Sequence, residues 1–310
     1  MSRIHEALKK AAEERMAQAA NRTVTDLVDL SNPSTPAEAV GANDRTRSNG
    51  DNRKRVDPAD LPFEEFRKRC TPATWKIEST GSVFSAEMNH NMGAEKFRTL
   101  RSRLYQIASA QPLKKILITS STPAEGKTFV AANLAQSFIR QAGRKVLLID
   151  SDLRASRLHL HFGAQEEPGL SDYLRGDCDE FQVSQFGTDG NLCLIPGGRE
   201  VSNPSELLHS DRMRNLLDRM STIFDWIILD SPPALAVHDA SILADMCDGV
   251  LFVVRAGCTD YQLAEKASSE FHEKNMLGVV LNRVEKRDSY GDYYYHGYGS
   301  QPAAESEAEA

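Results

Sequence analysis

Apolar residues in this chain fall into short blocks whose spacing alternates between strand-like and helix-like. Ile116-Leu-Ile, Val146-Leu-Leu-Ile, Leu192-Cys-Leu-Ile, Trp226-Ile-Ile-Leu, Val250-Leu-Phe-Val-Val and Gly278-Val-Val-Leu are continuous runs of strand length, the pattern of strands buried on both faces. Helical spacing separates them. It appears in Phe129, Val130, Leu134, Phe138 and Ile139 after the first run, and again near Ser210 to Met220, Asp239 to Met246 and Tyr261 to Lys274. Ahead of the first strand, Ala94 to Ala110 places Phe97, Leu100, Leu104 and Ile107 on one face. Strand and helix in repeated alternation predict an α/β fold, a mainly parallel, doubly wound sheet covered on both faces.

The flanks read differently. Residues 21–75 are rich in Asn, Asp, Arg, Ser and Pro and poor in large apolar side chains, so they are expected to form a flexible linker that cannot offset its chain entropy by burial. The same holds for the acidic end of a 286–310 tail. Residues 1–20 predict a charged helix capped by Ser2, with a narrow stripe of Ile4, Leu8, Ala11 and Ala12. Packing on its own domain, docking on another protein or a neighbouring subunit, and lying on a membrane surface all remain open for that stripe. The expected organisation is thus helix (1–20), linker (21–75), globular domain (76–285) and tail (286–310).

With 310 residues and 40% hydrophobic content the domain can bury an ordinary core. A net charge of −7 lacks the basic excess of a nucleic-acid binder, so no nucleic acid is expected. The five cysteines form no C-x-x-C pair and are odd in number, which signals neither a zinc ribbon nor a disulfide scaffold and fits a reducing, cytoplasmic compartment. The apolar runs fall far short of the ~20 residues that span a bilayer. The charged N-terminal helix has no leader-like apolar segment, so membrane association is expected through a partner.

Chemistry concentrates at the strand ends. Ile116-Leu-Ile-Thr-Ser-Ser-Thr-Pro-Ala-Glu125-Gly126-Lys127-Thr128-Phe129 carries an apolar strand through a loop of small residues into a helix. Loop amides and the helix N-terminus can surround phosphates, Lys127 can reach the β and γ oxygens, and the Thr128 hydroxyl can ligate Mg²⁺. Ser121 stands where the simple pattern wants its first Gly. The next strand ends in Asp150-Ser-Asp152-Leu-Arg154, with both acids on one side by strand alternation, and the Trp226 strand ends in Asp230. In an open α/β sheet ligands bind outside those ends. Arg255 and Asn282 sit just past two later strands, either beside a nucleotide base or as hydrogen bonders that stabilise loops.

Two further patterns lie outside the strands. Glu95, Arg98 and Arg101 share one helix face, which is a solvated charged face or an interface that reaches a neighbour's carboxylates. Tyr290, Tyr293, Tyr294, Tyr295 and Tyr298 place five of eight tyrosines within nine residues among Gly, Asp and His. They read as a flexible tail of phosphoacceptors or an aromatic tail that stacks on a partner.

Taken together, Thr119-Ser120, Pro123, Glu125-Gly126-Lys127-Thr128, the Asp150-x-Asp152-x-Arg154 strand and Asp230-Ser-Pro-Pro233 resemble the bacterial tyrosine kinases (BY-kinases) of capsule and exopolysaccharide export, over roughly residues 80 to 300. Glu95-x-x-Arg98-x-x-Arg101 is similar to that family's ring-assembly motif, Asn203-Pro-Ser-Glu-Leu-Leu208 to another of its signatures, and Tyr290 to Tyr298 to its tyrosine cluster. Two departures stand out. Ala124 replaces a usual Gly, harmless if its φ is negative, and Ala155-Ser156 replaces a frequent Arg-Pro, which bears on a subunit boundary.

The resemblance implies a P-loop NTPase with deviant Walker motifs that uses ATP and Mg²⁺ to phosphorylate protein tyrosines, including its own tail, in trans within a homo-oligomeric ring. Lys127 and the loop (Glu125, Gly126, Thr128, Phe129) would hold the phosphates; Thr128, Asp152 and Asp230 would serve the metal; Asp150 would accept the phenol proton. The division between Asp150 and Asp152 comes from the family and not from spacing. It further implies recruitment to the inner membrane face by a membrane-embedded polysaccharide co-polymerase, and control of polymer export. The competing expectation is an ATPase switch like the partition and septum-site proteins, without kinase activity. Those proteins resemble Lys-Gly-Gly-x-Gly-Lys-Thr in the loop, and Thr122 stands here in place of the first lysine, so their lysine-bridged dimer is not expected.

Overall fold

The computed structural model describes residues 61–76, 82–84, 92–187 and 190–284. Among them eight strands form one sheet in the order β1-β4-β5-β3-β6-β2-β7-β8. The six strands β2 (Lys115–Ser120), β3 (Val146–Asp150), β5 (Leu192–Ile195), β6 (Trp226–Asp230), β7 (Gly249–Arg255) and β8 (Met276–Asn282) run parallel. β2, β3 and β6 are buried almost throughout, which is why their sequences are continuous apolar runs. At the edge, β4 (Gln185–Phe186) pairs antiparallel to β5, and β1 (Thr71–Pro72) pairs parallel to β4.

The described helices are α1 (Phe63–Arg69), α2 (Met92–Ala110), α3 (Lys127–Ile139), α4 (Leu158–Phe162), α5 (Leu170–Arg175), α6 (Glu180–Val183), α7 (Pro204–Leu208), α8 (Asp211–Ile223), α9 (Asp239–Ala244) and α10 (Tyr261–Ser269). They divide the core in two. On one face Val130, Leu134 and Phe138 of α3 and Phe97 and Leu104 of α2 pack with Ile116, Ile118, Leu148 and Ile228. On the other, Met213, Leu216 and Met220 of α8 pack with Leu117, Leu147, Ile149 and Ile227. Alternate residues of one strand thus feed opposite cores, the arrangement the alternating blocks predict.

The linker expected over 21–75 is shorter than predicted. α1 and β1 fall within it, and Phe63 and Phe66 are buried edge-to-face against Phe224 with centroids 5.6 and 5.7 Å apart. A seven-residue helix holding two phenylalanines three apart is too short a signal against a polar background, but each ring contributes about 1 kcal/mol of aromatic contact beyond its burial. α10 also stops earlier than Lys274, because Phe271 turns inward to the core beside Phe252. The helix expected over 1–20, the linker up to residue 60 and the tail with Tyr290, Tyr293, Tyr294, Tyr295 and Tyr298 lie outside the described residues. Among the described residues no helix is long and apolar enough to cross a membrane.

Candidate nucleotide site

The phosphate loop leaves β2 at the centre of the sheet, between β6 and β7, and enters α3 at Lys127. The first helical hydrogen bond of α3 runs from Val130 N to Gly126 O (2.9 Å), and no side chain caps the helix. The amides of Lys127, Thr128 and Phe129 are thereby left for a ligand, and the helix dipole favours an anion there. The Phe129 ring is half-buried and packs on Phe97, so its place in the site is through the backbone.

Two residues of this loop have left-handed backbones. Gly126 has φ +96°, and a Cβ there would fall 2.0 Å from Asn282 Nδ2, so both conformation and space exclude a side chain. Ala124 has φ +65°. The condition under which its replacement of Gly was harmless is therefore not met; the loop carries a strained alanine.

Between these two inversions Glu125 points its carboxylate inward and is 2% exposed. Its Oε2 accepts from Thr122 N (2.8 Å), its Oε1 from the hydroxyls of Ser121 (3.4 Å) and Thr259, and its carbonyl from Asn282 Nδ2 (2.9 Å). Arg255 and Asn282 are register partners that end β7 and β8. Through its bond to the Glu125 carbonyl, Asn282 buttresses the phosphate loop. Thr259 was not singled out from sequence, since an isolated Thr before a helix cap carries no signal.

The acids occupy neighbouring strand ends. Asp150 and Asp230 are register partners on β3 and β6. Asp150 is fully buried, and it ties the following loop down: Oδ2 accepts from Ser156 Oγ (2.8 Å), Arg157 N (3.1 Å) and Leu158 N (2.9 Å), and Oδ1 from Asp152 N (3.2 Å). Burial pushes its carboxyl above the ordinary range, with these donors pulling back. Ser156, one of the departures noted above, thus serves inside the chain's own site. Burial raises Asp230 further; Lys127 pulls it down and Asp150 pushes it up. Asp230 Oδ1 is buried and has no hydrogen-bond partner among the described residues.

Lys127 Nζ sits 3.2 Å from Asp152 Oδ2, both largely buried. Both line a cleft of about 490 Å³ together with Pro123, Ala124, Gly126, Thr128, Arg154 and Arg157 and the apolar Pro232, Pro233, Ala236 and Val237. Asp152 lines this cleft; Asp150 does not.

Arg154 joins three separate sequence signals. Its Nε donates to Asp239 Oδ2 (2.9 Å) and its Nη2 to Ser205 Oγ (2.9 Å), while Ser205 also donates to Asp239. The Asp-x-Asp-x-Arg strand end, the Asn203-to-Leu208 signature and the start of α9 are one cluster around a fully buried Asp239. On α2, Arg98 pairs with Glu95 as the spacing allows. Arg101 departs from that face, turning in to donate to Ser137 O of α3 (2.5 Å).

A strand, loop and helix cradle at the centre of a parallel sheet, faced by carboxylates on neighbouring strand ends, defines a P-loop nucleotide-binding protein. Residues 116–294 match the model of the CobQ/CobB/MinD/ParA nucleotide binding domain. The tyrosine-protein kinase YwqD of Bacillus subtilis is 35% identical over 207 residues, 66% of this chain and 87% of the relative. The putative tyrosine-protein kinase EpsB of Ralstonia nicotianae is 37% identical over 70% of this chain, and the match spans only 30% of its own length. The solved kinase domain of Escherichia coli tyrosine kinase ETK superimposes with a TM-score of 0.64 at 34% identity, over 70% of this chain and 84% of that domain. The chain belongs to the CobQ/CobB/MinD/ParA nucleotide-binding proteins and, within them, to the bacterial tyrosine-protein kinases.

Proposed function

We propose that this chain transfers the γ-phosphoryl group of ATP to protein tyrosines, its own Tyr290, Tyr293, Tyr294, Tyr295 and Tyr298 first among them, between subunits of a homo-oligomer. The observation that carries the reading is the Lys127 and Asp152 ion pair in a cleft that is also lined by Arg154, Arg157 and the apolar Pro232 and Pro233. Lys127 exchanges Asp152 for the phosphate oxygens when ATP enters, and the amides of Lys127, Thr128 and Phe129 hold the phosphates in line. The half-apolar cleft suits a phenol ring against Pro232 and Pro233. The phenol, with a pKa near 10, needs its proton taken as it attacks. The acid pair takes it: Asp152 lines the cleft, and the buried Asp150, whose Oδ1 accepts one hydrogen bond, from the Asp152 amide, keeps a lone pair for the proton.

The residues present fit Mg²⁺. Asp230 has an unpartnered buried oxygen, and the Thr128 hydroxyl lies beside that carboxylate. Among the described residues no cluster of three or more His, Cys, Asp or Glu forms a protein cage. That matches a cation which keeps several waters and takes the rest of its ligands from substrate phosphates. Thr128, Asp152 and Asp230 would hold it, and its charge would offset that of the phosphates.

In this reading the kinase regulates polysaccharide polymerisation or export and is held at the inner membrane face by a membrane-embedded co-polymerase. The two relatives named tyrosine-protein kinases support the catalytic part, and the resemblance carried by the tyrosine cluster supports the setting. Incubating the full chain with Mg·ATP and mapping phosphotyrosine by mass spectrometry tests it. Phosphate on the 290–298 tyrosines is expected; ATP hydrolysis without phosphotyrosine would replace it with the ATPase switch.

A further inference from the structure

Glu125 puts a carboxylate beside a phosphate cradle, where its charge has the sign of the ligand. It is tolerated because of where it points. Ala124 and Gly126 both line the cleft, and their left-handed backbones turn the residue between them the opposite way. The carboxylate then lies buried behind the loop, where four groups hold residue 125: the Thr122 amide, the Ser121 and Thr259 hydroxyls, and the Asn282 amide on its carbonyl. Thr122 and Ser121 belong to the loop and move with it. Thr259 and Asn282 come from outside.

Thr259 in turn is fixed to the sheet. Its hydroxyl accepts from Arg255 N (3.1 Å), and its own amide donates to Arg255 O (3.1 Å). The next residue, Asp260, caps α10 through Gln262 N (2.8 Å). Ala256 N donates to Asn282 O (2.9 Å), joining the two anchors. The 255–260 segment therefore cannot follow the loop if the loop shifts. A hydroxyl offers one proton, and here it goes to Glu125.

We propose that Thr259 is a positioning residue that holds the Glu125 carboxylate behind the phosphate loop and keeps its negative charge out of the cradle that takes the nucleotide's phosphates. Without the hydroxyl, Glu125 Oε1 keeps only the long Ser121 contact, and a buried carboxylate short of donors turns toward water. The cleft lined by its neighbours Ala124 and Gly126 offers that water. There it repels polyphosphate, and the repulsion grows with the number of phosphates. Asn282 fixes the Glu125 backbone and does not prevent rotation of the side chain.

This inference rests on the nucleotide-binding half of the proposed function and not on tyrosine transfer. The test is the affinity of the full chain for mant-ATP and mant-ADP by fluorescence titration, with the unfolding midpoint of each variant recorded alongside. Thr259→Val is expected to weaken mant-ATP by about tenfold and mant-ADP by less. Thr259→Ser, which keeps the hydroxyl, should bind as wild type does. The decisive variant is Thr259→Val/Glu125→Gln, which should recover most of the lost mant-ATP affinity because the amide carries no charge. Equal affinity of Thr259→Val and wild type, or no recovery in the double variant, would overturn the proposal and leave Thr259 a packing residue. If Thr259→Val does not fold, Thr259→Ala gives the same comparison with less change of shape. Absence of tyrosine phosphorylation in a wild type that binds mant-ATP would sink the kinase reading alone.

Discussion

Lys127 and Asp152 face each other at 3.2 Å, one from the first turn of α3 and the other from the loop after β3, with only 14% and 5% of their side chains exposed. The lysine that would hold the phosphates is thus also the counter-ion of a buried acid. Lys127→Met is expected to abolish tyrosine phosphorylation and also to destabilise the fold by on the order of 3 kcal/mol, because Asp152 loses its partner. Adding Asp152→Asn should recover that stability in urea denaturation without recovering activity. A single variant as stable as wild type would show that the pair contributes nothing to folding.

The Asp150 and Asp230 carboxyls make stability depend on pH in an unusual direction. Burial pushes both carboxyls up from the ordinary 3.8, Asp230 more than Asp150, and the two titrate as a pair. The folded state therefore binds the proton more tightly. That contribution is complete below pH 3.8 and is lost as pH rises through the folded values. As pH rises above the unfolded value, metal-free protein should lose stability while the coupled pair gives up its protons. Asp230→Asn should flatten that slope in denaturant melts with chelator; parallel slopes would refute the assignment.

The left-handed residues of the loop separate strain from space. Ala124→Gly should stabilise the fold by about 1 kcal/mol, since glycine adopts φ +65° without the Cβ clash. Gly126→Ala should destabilise it and abolish nucleotide binding, because the new Cβ displaces Asn282 from the Glu125 carbonyl. Thermal melts and ATP titration of the two variants check both signs. A neutral Gly126→Ala would mean that Asn282 moves aside freely.

Much of this site was legible because its parts repeat a local rule: an apolar strand ends, and a polar residue follows. Lys127, Asp150, Asp152 and Asp230 all fall on that rule, and the parallel sheet brings their strand ends together. What the rule does not carry is direction. Asp150 and Asp152 share a side of their strand in sequence, yet one folds its own loop and the other lines the cleft, because the backbone after β3 turns back on Asp150. Ser205 and Asp239 were unreadable as partners of Arg154, since their meeting depends on how α7 and α9 pack. α1 was hidden for a simpler reason: two buried rings in seven residues do not outweigh the polar stretch around them.

Arg154 gives a prediction from that cluster. Asp239 is fully buried, and Arg154 is its ion-pair partner, with Ser205 as a further donor. Arg154→Ala leaves the buried acid with Ser205 but without its counter-ion and should destabilise the domain by about 1 kcal/mol, less than a fully buried pair would because the guanidinium is partly exposed. Arg154→Ala/Asp239→Asn should be closer to wild type. Urea denaturation of the single and double variants measures the coupling, and additive losses would show that the pair is not an energetic unit.

Arg98 and Arg101 of α2 are held differently. Glu95, Arg98 and Arg101 share a spacing, but among the described residues the Arg98 side chain pairs with Glu95 on a solvent-facing turn, whereas Arg101 is bound to the Ser137 carbonyl of α3. Arg98 can exchange an exposed pair worth well under 1 kcal/mol for a neighbour's carboxylate. Arg101 cannot leave without stranding a carbonyl in a half-buried contact. Arg98→Ala should therefore keep the unfolding midpoint of wild type while lowering both the assembly mass and the rate of tail phosphorylation at low protein concentration. Arg101→Ala should lower the unfolding midpoint at every concentration. Size-exclusion chromatography with light scattering, run beside thermal melts and phosphotyrosine kinetics, distinguishes them. If Arg98→Ala assembles and phosphorylates its tail as wild type does, Arg98 has no part in association. If its phosphorylation rate per molecule is independent of concentration, the transfer is intramolecular and the exchange between subunits must be given up.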